Sequence, residues 1–133
     1  MIRLSSSAFG YNADLIKKGV CIGSASLSFI PHAYALSIHI DENEQHKGYS
    51  RMLLYTLLHF TDVVPDDILA IDADASNGFW KHIGFRDNRY GYDYKGTRRV
   101  TGKGYEKIAT VRDIYSWLNR KYIQPFPLQI SRL

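Results

Sequence analysis

The residues that invite a chemical reading are EQHKGYSRMLL, Glu44 to Leu54. A polar run ends in Gly48, and an apolar pattern of helical period begins at once. The first turn of a helix carries N–H groups with no carbonyl partner inside the helix, and its dipole favours an anion there. Gly48 permits a positive φ or a close backbone approach. Lys47 and Arg51 bring positive charge. The chemistry this spacing serves is a phosphate cradle; the plain alternative is a turn before a helix.

The bulk composition bounds what such a cradle can belong to. The chain has 133 residues, 45% hydrophobic and 14% aromatic, which suits one domain with a packed core. No run approaches the roughly 20 apolar residues that span a bilayer, so no membrane partner is expected. The N-terminal MIRLSSSAFGYNADL lacks the apolar segment of a secretory signal. Cys21 is the only cysteine, so no disulfide can close within the chain and a reducing, cytoplasmic setting is expected. It lies in an apolar run and reads as an inert thiol. The net charge of +4 is uneven: residues 1–94 hold 8 Lys/Arg against 11 Asp/Glu, whereas residues 95–121 hold 8 against 2. That basic end suits an anionic cofactor or an acidic partner as well as a solvated face. A nucleic-acid partner is not expected, because that reading would rest on this segment alone.

The elements that must position the cradle follow from periodicity. Ile2–Leu4 reads as a short strand, and Asn12 or Asp14 as the cap of a short helix through Lys18, stopped by Gly19. Val20–Ile30 and Ala33–Ile40 read as strands joined across Pro31-His32 as an antiparallel hairpin. On the second, Leu36, Ile38 and Ile40 share one face, and Ser37 and His39 the other. From Ser50 the period becomes 3.6, with Met52, Leu53, Leu57, Leu58 and Phe60 on one side. After a break at Thr61–Asp67, Ile68–Ala73 reads as a strand parallel to Ala33–Ile40, completing a βαβ unit. A short helix, Asn77–Ile83, stops at Gly84. An irregular stretch rich in Tyr and Gly follows. Thr110 with Asp113 resembles a capping box and opens an amphipathic helix over Thr110–Tyr122, which Pro125 and Pro127 do not let continue.

Two of these segments resemble the GNAT superfamily of N-acetyltransferases. The family's acetyl-CoA pyrophosphate loop has the pattern Gln/Arg-x-x-Gly-x-Gly/Ala between a strand and a helix; Gln45, Gly48 and Ser50 occupy its three positions here. Ile40 stands five residues before Gln45, where the family has an aliphatic residue. Downstream, NGFWKHIGF (Asn77 to Phe85) is similar to the family's second motif. The loop wording, Glu-Gln-x-x-Gly-Tyr, is closest to the histone-acetyltransferase branch.

The resemblance implies an α+β fold: a mixed, mostly antiparallel twisted sheet with a central splayed pair of parallel strands and flanking helices. It implies a single domain over 1–133, with 33–85 as the acetyl-CoA-binding core and 95–133 as a basic C-terminal segment ending in an amphipathic helix. Acetyl-CoA is then the co-substrate, and no metal is expected. Backbone groups around Ile38, His39 and Ile40 would pair with the pantetheine arm. The amides of His46, Lys47, Gly48, Tyr49, Ser50 and Arg51 would hold the pyrophosphate. Asp74, Asn77, Trp80 and Lys81 would lie near the pantetheine and thiol. The implied reaction is attack of a neutral primary amine on the thioester carbonyl, with a base for its proton and a donor for the oxyanion.

The chain departs from the family where catalysis is concerned. The family's Tyr before Gly-Phe is replaced by Trp80, which cannot act as an acid. The carboxylate base of the histone-type branch has Tyr34 at its position, eleven before Gln45. Candidate substitutes are Tyr34, His32 and His39; a histidine has an ordinary pKa near ~6.5, suited to a base. Tyr90, Tyr92 and Tyr94 lie on a segment that could reach the thiol, or simply pack. Family members have two helices between their first and second strands; here only Ser7–Gly19 is available. The acceptor side is therefore expected to be open, suiting a protein or peptide lysine or a chain terminus. The tail helix, with Tyr115, Trp117, Leu118 and Tyr122 spread around it, serves either a homodimer or the core. A catalytically silent GNAT fold that binds acyl-CoA or a macromolecule is the competing reading.

Overall fold

Strand alternation organises the first third of the chain. In the computed structural model, which describes residues 1–31, 33–71, 78–87, 107–119 and 127–132, four consecutive strands form an antiparallel meander. These are β1 (Ile2–Ser7), β2 (Gly10–Lys17), β3 (Val20–Ile30) and β4 (Ala33–Ile40). The register brings Leu4, Ala13, Ala25 and Ile38 side by side, and Tyr11, Leu27 and Leu36 beside them. One face is therefore apolar and mostly buried. The opposite face carries Asn12, Asp14, Ser24, Ser26, Ser28, Ser37 and His39, as a period of two demands.

The helix expected from Asn12 or Asp14 to Lys18 does not form. Ala13 and Leu15 are both fully buried while Asn12, Asp14 and Ile16 are only partly so, the alternation of a strand. Asn12 Nδ2 donates to Asp14 Oδ1 at 2.9 Å along the polar face. Gly19 does not end a helix but closes a hairpin: Lys18 (φ 52°) and Gly19 (φ 79°) are both left-handed, the two-residue turn whose twist matches paired strands. β1 and β2 are joined directly through Ala8 and Phe9. No helix lies between the first two strands.

Helix α1 (Tyr49–His59) follows β4 and lies across β1 to β4. It buries Met52, Leu53, Leu54, Leu57 and Leu58, and Thr56 hides its hydroxyl by donating to the Met52 carbonyl at 2.9 Å. Eleven residues are too few to hold a helix in water unaided. Burial of each large aliphatic side chain, at about 1.5–3 kcal/mol, does so. Phe60, expected on the buried side, is instead the C-cap residue and 44% exposed.

β5 (Ile68–Ile71) runs parallel to β4, as the βαβ reading requires. Helix α2 (Phe79–Ile83) is stopped by Gly84, at φ 128°. The strands β6 (Arg86–Asp87), β7 (Lys107–Thr110) and β8 (Leu128–Arg132) are absent from the sequence expectations. β7 pairs antiparallel with both β5 and β6, and β8 pairs parallel with β1. The sheet order is β6-β7-β5-β4-β3-β2-β1-β8. The fold is α+β, with a mostly antiparallel sheet, a parallel pair at its centre, and flanking helices. Helix α3 (Val111–Leu118) has the expected capping box: Thr110 Oγ1 accepts from the Asp113 amide, and Asp113 Oδ2 accepts from the Thr110 amide. Val111 and Arg112 also donate to the carbonyls of Asp67 and Pro65.

Candidate functional site

The parallel pair is short among the described residues, where β4 pairs with β5 at Tyr34–Leu69 and Ala35–Ala70. Beyond that point β4 continues for five more residues to Ile40. Asp41 donates its N–H to the Ile22 carbonyl of β3 at 2.9 Å. By strand alternation, the peptide groups of Leu36, Ile38 and Ile40 therefore face away from β3. Those of Ser37 and His39 face β3.

The loop after β4 is built to cup something. A single 3-10 turn, Glu42–Glu44, leads to Gln45, whose side chain donates back to the Ile40 carbonyl at 3.1 Å and ties the loop to the strand end. His46 (φ 65°) and Gly48 (φ 82°) are both left-handed, with an ordinary residue between them. Such alternation turns successive N–H groups toward one side, the arrangement of an anion-binding nest. Gly48 is the N-cap of α1, with no side-chain cap. The first intrahelical bond runs from Met52 to the Gly48 carbonyl, so the amides of Tyr49, Ser50 and Arg51 have no carbonyl one turn back.

A cavity of about 750 Å³ occupies this place. Its lining draws on β4 (Ile38, Ile40), the loop and first turn of α1 (Glu44 to His46, Gly48 to Arg51), α2 (Phe79, Trp80) and Trp117 of α3. Nine of the expected cofactor residues thus line one cavity: Ile38, Ile40, Gln45, His46, Gly48, Tyr49, Ser50, Arg51 and Trp80.

The remaining candidates lie elsewhere. Lys47 is off the lining, bound to Glu44 at 2.9 Å, with Lys17 on the same carboxylate at 3.4 Å. The ammonium of Lys47, joined by that of Lys17, holds the Glu44 carboxyl below the ordinary carboxylate range. Lys81 pairs with Asp87 at 3.2 Å. His39 points from the polar face, 77% exposed in its side chain, with Asp41 at 3.7 Å. Tyr34 does not line the cavity; its ring packs against Phe29 and Tyr11, with centroids at 5.7 and 6.3 Å. Burial, reinforced by Asp67, Tyr11 and Asp62, raises the Tyr34 pKa above that of a free phenol, so it stays protonated. His32, Asp74, Asn77, Tyr90, Tyr92 and Tyr94 lie outside the described residues, as do Tyr122 and most of the basic segment. Of that segment, Lys107 pairs with Asp87 at 3.4 Å and Arg112 with Asp66 at 2.8 Å.

Glu44, Phe79 and Trp117 also line the cavity without being among the expected cofactor residues, and Trp117 is the one far from the loop in sequence. A signal existed. Once the capping box fixes Thr110 as the N-cap, Val111, Ile114, Trp117 and Leu118 fall on one stripe, and all four are buried. Arg51 lies over the Trp117 ring, its Cζ 4.7 Å from the centroid.

Solved structures share this arrangement of elements. The ribosomal-protein-S18-alanine N-acetyltransferase from Escherichia coli superposes with a TM-score of 0.52 and 22% identity, over 77% of this chain and 67% of that one. Tetrahymena GCN5 gives 0.50 and 18%, over 79% and 70%. This chain shares the fold of these two structures. Identities this low show the fold alone. No family model matches the chain, and no curated protein matches it. Within this fold, the cavity lies between the end of β4 and the start of α1.

Proposed function

We propose that this protein is an acetyl-CoA-dependent N-acetyltransferase acting on a primary amine, with a protein or peptide lysine or a chain terminus as acceptor. The observation that carries the reading is one coincidence of position. The nest at His46–Gly48, the first turn of α1 and the open edge of β4 at Ile38 and Ile40 all line a single cavity. A phosphate-bearing ligand with an extended amide arm matches that series: an anion at the helix start, then backbone partners along a strand edge. About 750 Å³ is of the size that holds such a ligand. Acetyl-CoA supplies the activated thioester; the chain's own residues bind and orient it. The direct β1–β2 turn leaves the acceptor side without the two helices that GNAT family members have between their first and second strands, which supports a macromolecular acceptor. The loop wording Glu44-Gln45-x-x-Gly48-Tyr49 supports a place near the histone-type branch.

A second reading has its own observation. The position of the expected tyrosine acid is held by Trp80, which lines the cavity, and neither Tyr34 nor His39 does. This favours a GNAT fold that binds acyl-CoA without turning it over. A thiol-release assay with acetyl-CoA over a mixed panel of peptides, polyamines and aminoglycosides separates the two. The enzyme reading predicts release with peptides; turnover of polyamines or aminoglycosides with no peptide active would contradict the open-acceptor argument. No release with any acceptor, alongside firm binding, would leave the silent reading standing.

Two further outcomes follow from the geometry. Tyr34→Phe is expected to change the acetyl-transfer rate less than about twofold, whereas removing a general base costs about 100-fold or more. Rates of both proteins at saturating substrate decide it, and a 100-fold loss would restore Tyr34 as the base. Glu44→Gln removes a carboxylate from the cavity wall and releases Lys47 from it. Acetyl-CoA affinity is expected to rise about three- to tenfold at low salt and by less at 0.5 M salt, as screening requires. Titration at the two salt concentrations checks this; weaker binding in the variant would mean that Glu44 shapes the loop rather than opposing the anion.

A further inference from the structure

The cavity has little side-chain charge with which to attract a phosphate. Among its described lining residues, Arg51 carries a permanent positive charge and Glu44 a negative one. Lys47 is drawn onto Glu44. How strongly the wall favours an anion therefore depends on where the Arg51 guanidinium is kept, and an arginine side chain has many rotamers to choose among.

Arg51 is kept on an indole face. Its Cζ is 4.7 Å from the Trp117 centroid, inside the distance of about 6 Å at which a ring quadrupole attracts a cation. The ring is itself fixed. Trp117 is 9% exposed. Phe79 meets it edge-on at 6.0 Å and 89°. Phe79 meets Trp80 at 5.1 Å, and Trp80 meets Phe85 at 5.2 Å. A row of rings thus runs from α2 to α3 and sets the plane on which the guanidinium rests. A guanidinium has its N–H groups at its edges, so seating its centre over a ring restricts where those groups can point.

We propose that Trp117 is a positioning residue for ligand phosphate, holding Arg51 in the cavity wall so that the anion-binding loop presents a fixed cation as well as backbone amides. The proposal rests on the acetyl-CoA reading above and deepens it. Helix α3, sixty residues beyond the loop, becomes part of the cofactor site.

The test is a double-mutant cycle on acetyl-CoA affinity, with a thermal melt confirming that each protein is folded. Arg51→Gln is expected to weaken binding about tenfold, as loss of a charged hydrogen bond does. Trp117→Met, which fills space without a ring, is expected to weaken it about fivefold, and Trp117→Phe, which restores a ring, less than about twofold. In Arg51→Gln protein, Trp117→Met should add almost nothing, because the residue it positions is gone. A fivefold loss in that background, or no loss in the wild-type background, overturns the positioning role and leaves the acetyl-CoA reading intact. Absence of binding by the unaltered protein overturns both. Should Trp117→Met not fold, fluorescence supplies the readout: the chain has two tryptophans, so Trp80→Phe leaves Trp117 as the sole indole. Saturating acetyl-CoA should shift its emission, and Arg51→Gln should diminish the shift; an unmoved emission at saturation overturns the proposal.

Discussion

Gly48→Val is expected to lower acetyl-CoA affinity by about 100-fold or more while leaving the protein folded. Two causes act together. Gly48 holds φ 82° as the N-cap of α1, and a β-branched residue is strained there by about 1–3 kcal/mol. The loop can relieve that strain only by turning its amides away from their common side. The second cause is placement. Among the described residues, its two chain neighbours aside, no atom lies within 4 Å of where a Cβ would stand, so the new side chain has room to intrude on the cradle without disturbing the packing. Loss of two charge-assisted hydrogen bonds at about 1.5–3 kcal/mol each accounts for the expected size. Calorimetric titration together with a urea melt separates the effects: stability should fall by about 1–3 kcal/mol, and binding should fall much further. A valine variant with ordinary affinity would place the phosphate elsewhere.

Gly10→Ala is expected to have the largest effect on stability, a loss above about 3 kcal/mol, out of the roughly 5–15 kcal/mol that holds a domain folded. Gly10 begins β2 at φ 145°, and a Cβ there would stand 1.9 Å from the Leu27 carbonyl oxygen and 3.0 Å from the Ser28 Cα. Both neighbours are backbone of β3, locked by the Gly10–Ser28 and Tyr11–Leu27 pairs. They cannot yield without unzipping that ladder. Gly19→Ala is the control: φ is also positive, 79°, but among the described residues nothing beyond its chain neighbours lies within 4 Å of the Cβ position. It should lose only about 1–2 kcal/mol. Urea denaturation of the three proteins decides the matter, and equal losses in both variants would show that φ alone, and not the backbone clash, governs Gly10.

The part of the fold legible in the sequence was the part with local signals. β3, β4 and α1 announce themselves by period, and α3 by its Thr110–Asp113 cap. The parallel relation of β4 and β5 followed from the intervening helix. β2 reads as a helix because Gly19 and the capping-type Asn-x-Asp are strong local signals, whereas the alternation at Ala13 and Leu15 that makes it a strand spans only one short pair. β6, β7 and β8 are two, four and five residues long, and each is held by partners far away in sequence. Nothing within LQISR states that it will lie beside β1. The site divides in the same way. The loop was legible because Gly48 and the helix start are adjacent in sequence, whereas the Arg51–Trp117 contact depends on packing between helices separated by β5, α2, β6 and β7.

The central claim is that the cavity at the start of α1 holds acetyl-CoA. The most direct measurement is isothermal titration of the protein with acetyl-CoA and with CoA near neutral pH, run beside Gly48→Val. The account predicts saturable one-to-one binding of both ligands, with a Kd on the order of 1–100 μM, or about −5 to −8 kcal/mol. It also predicts loss of that heat in the variant. Absence of binding by the unaltered protein, or equal binding by Gly48→Val, would contradict it.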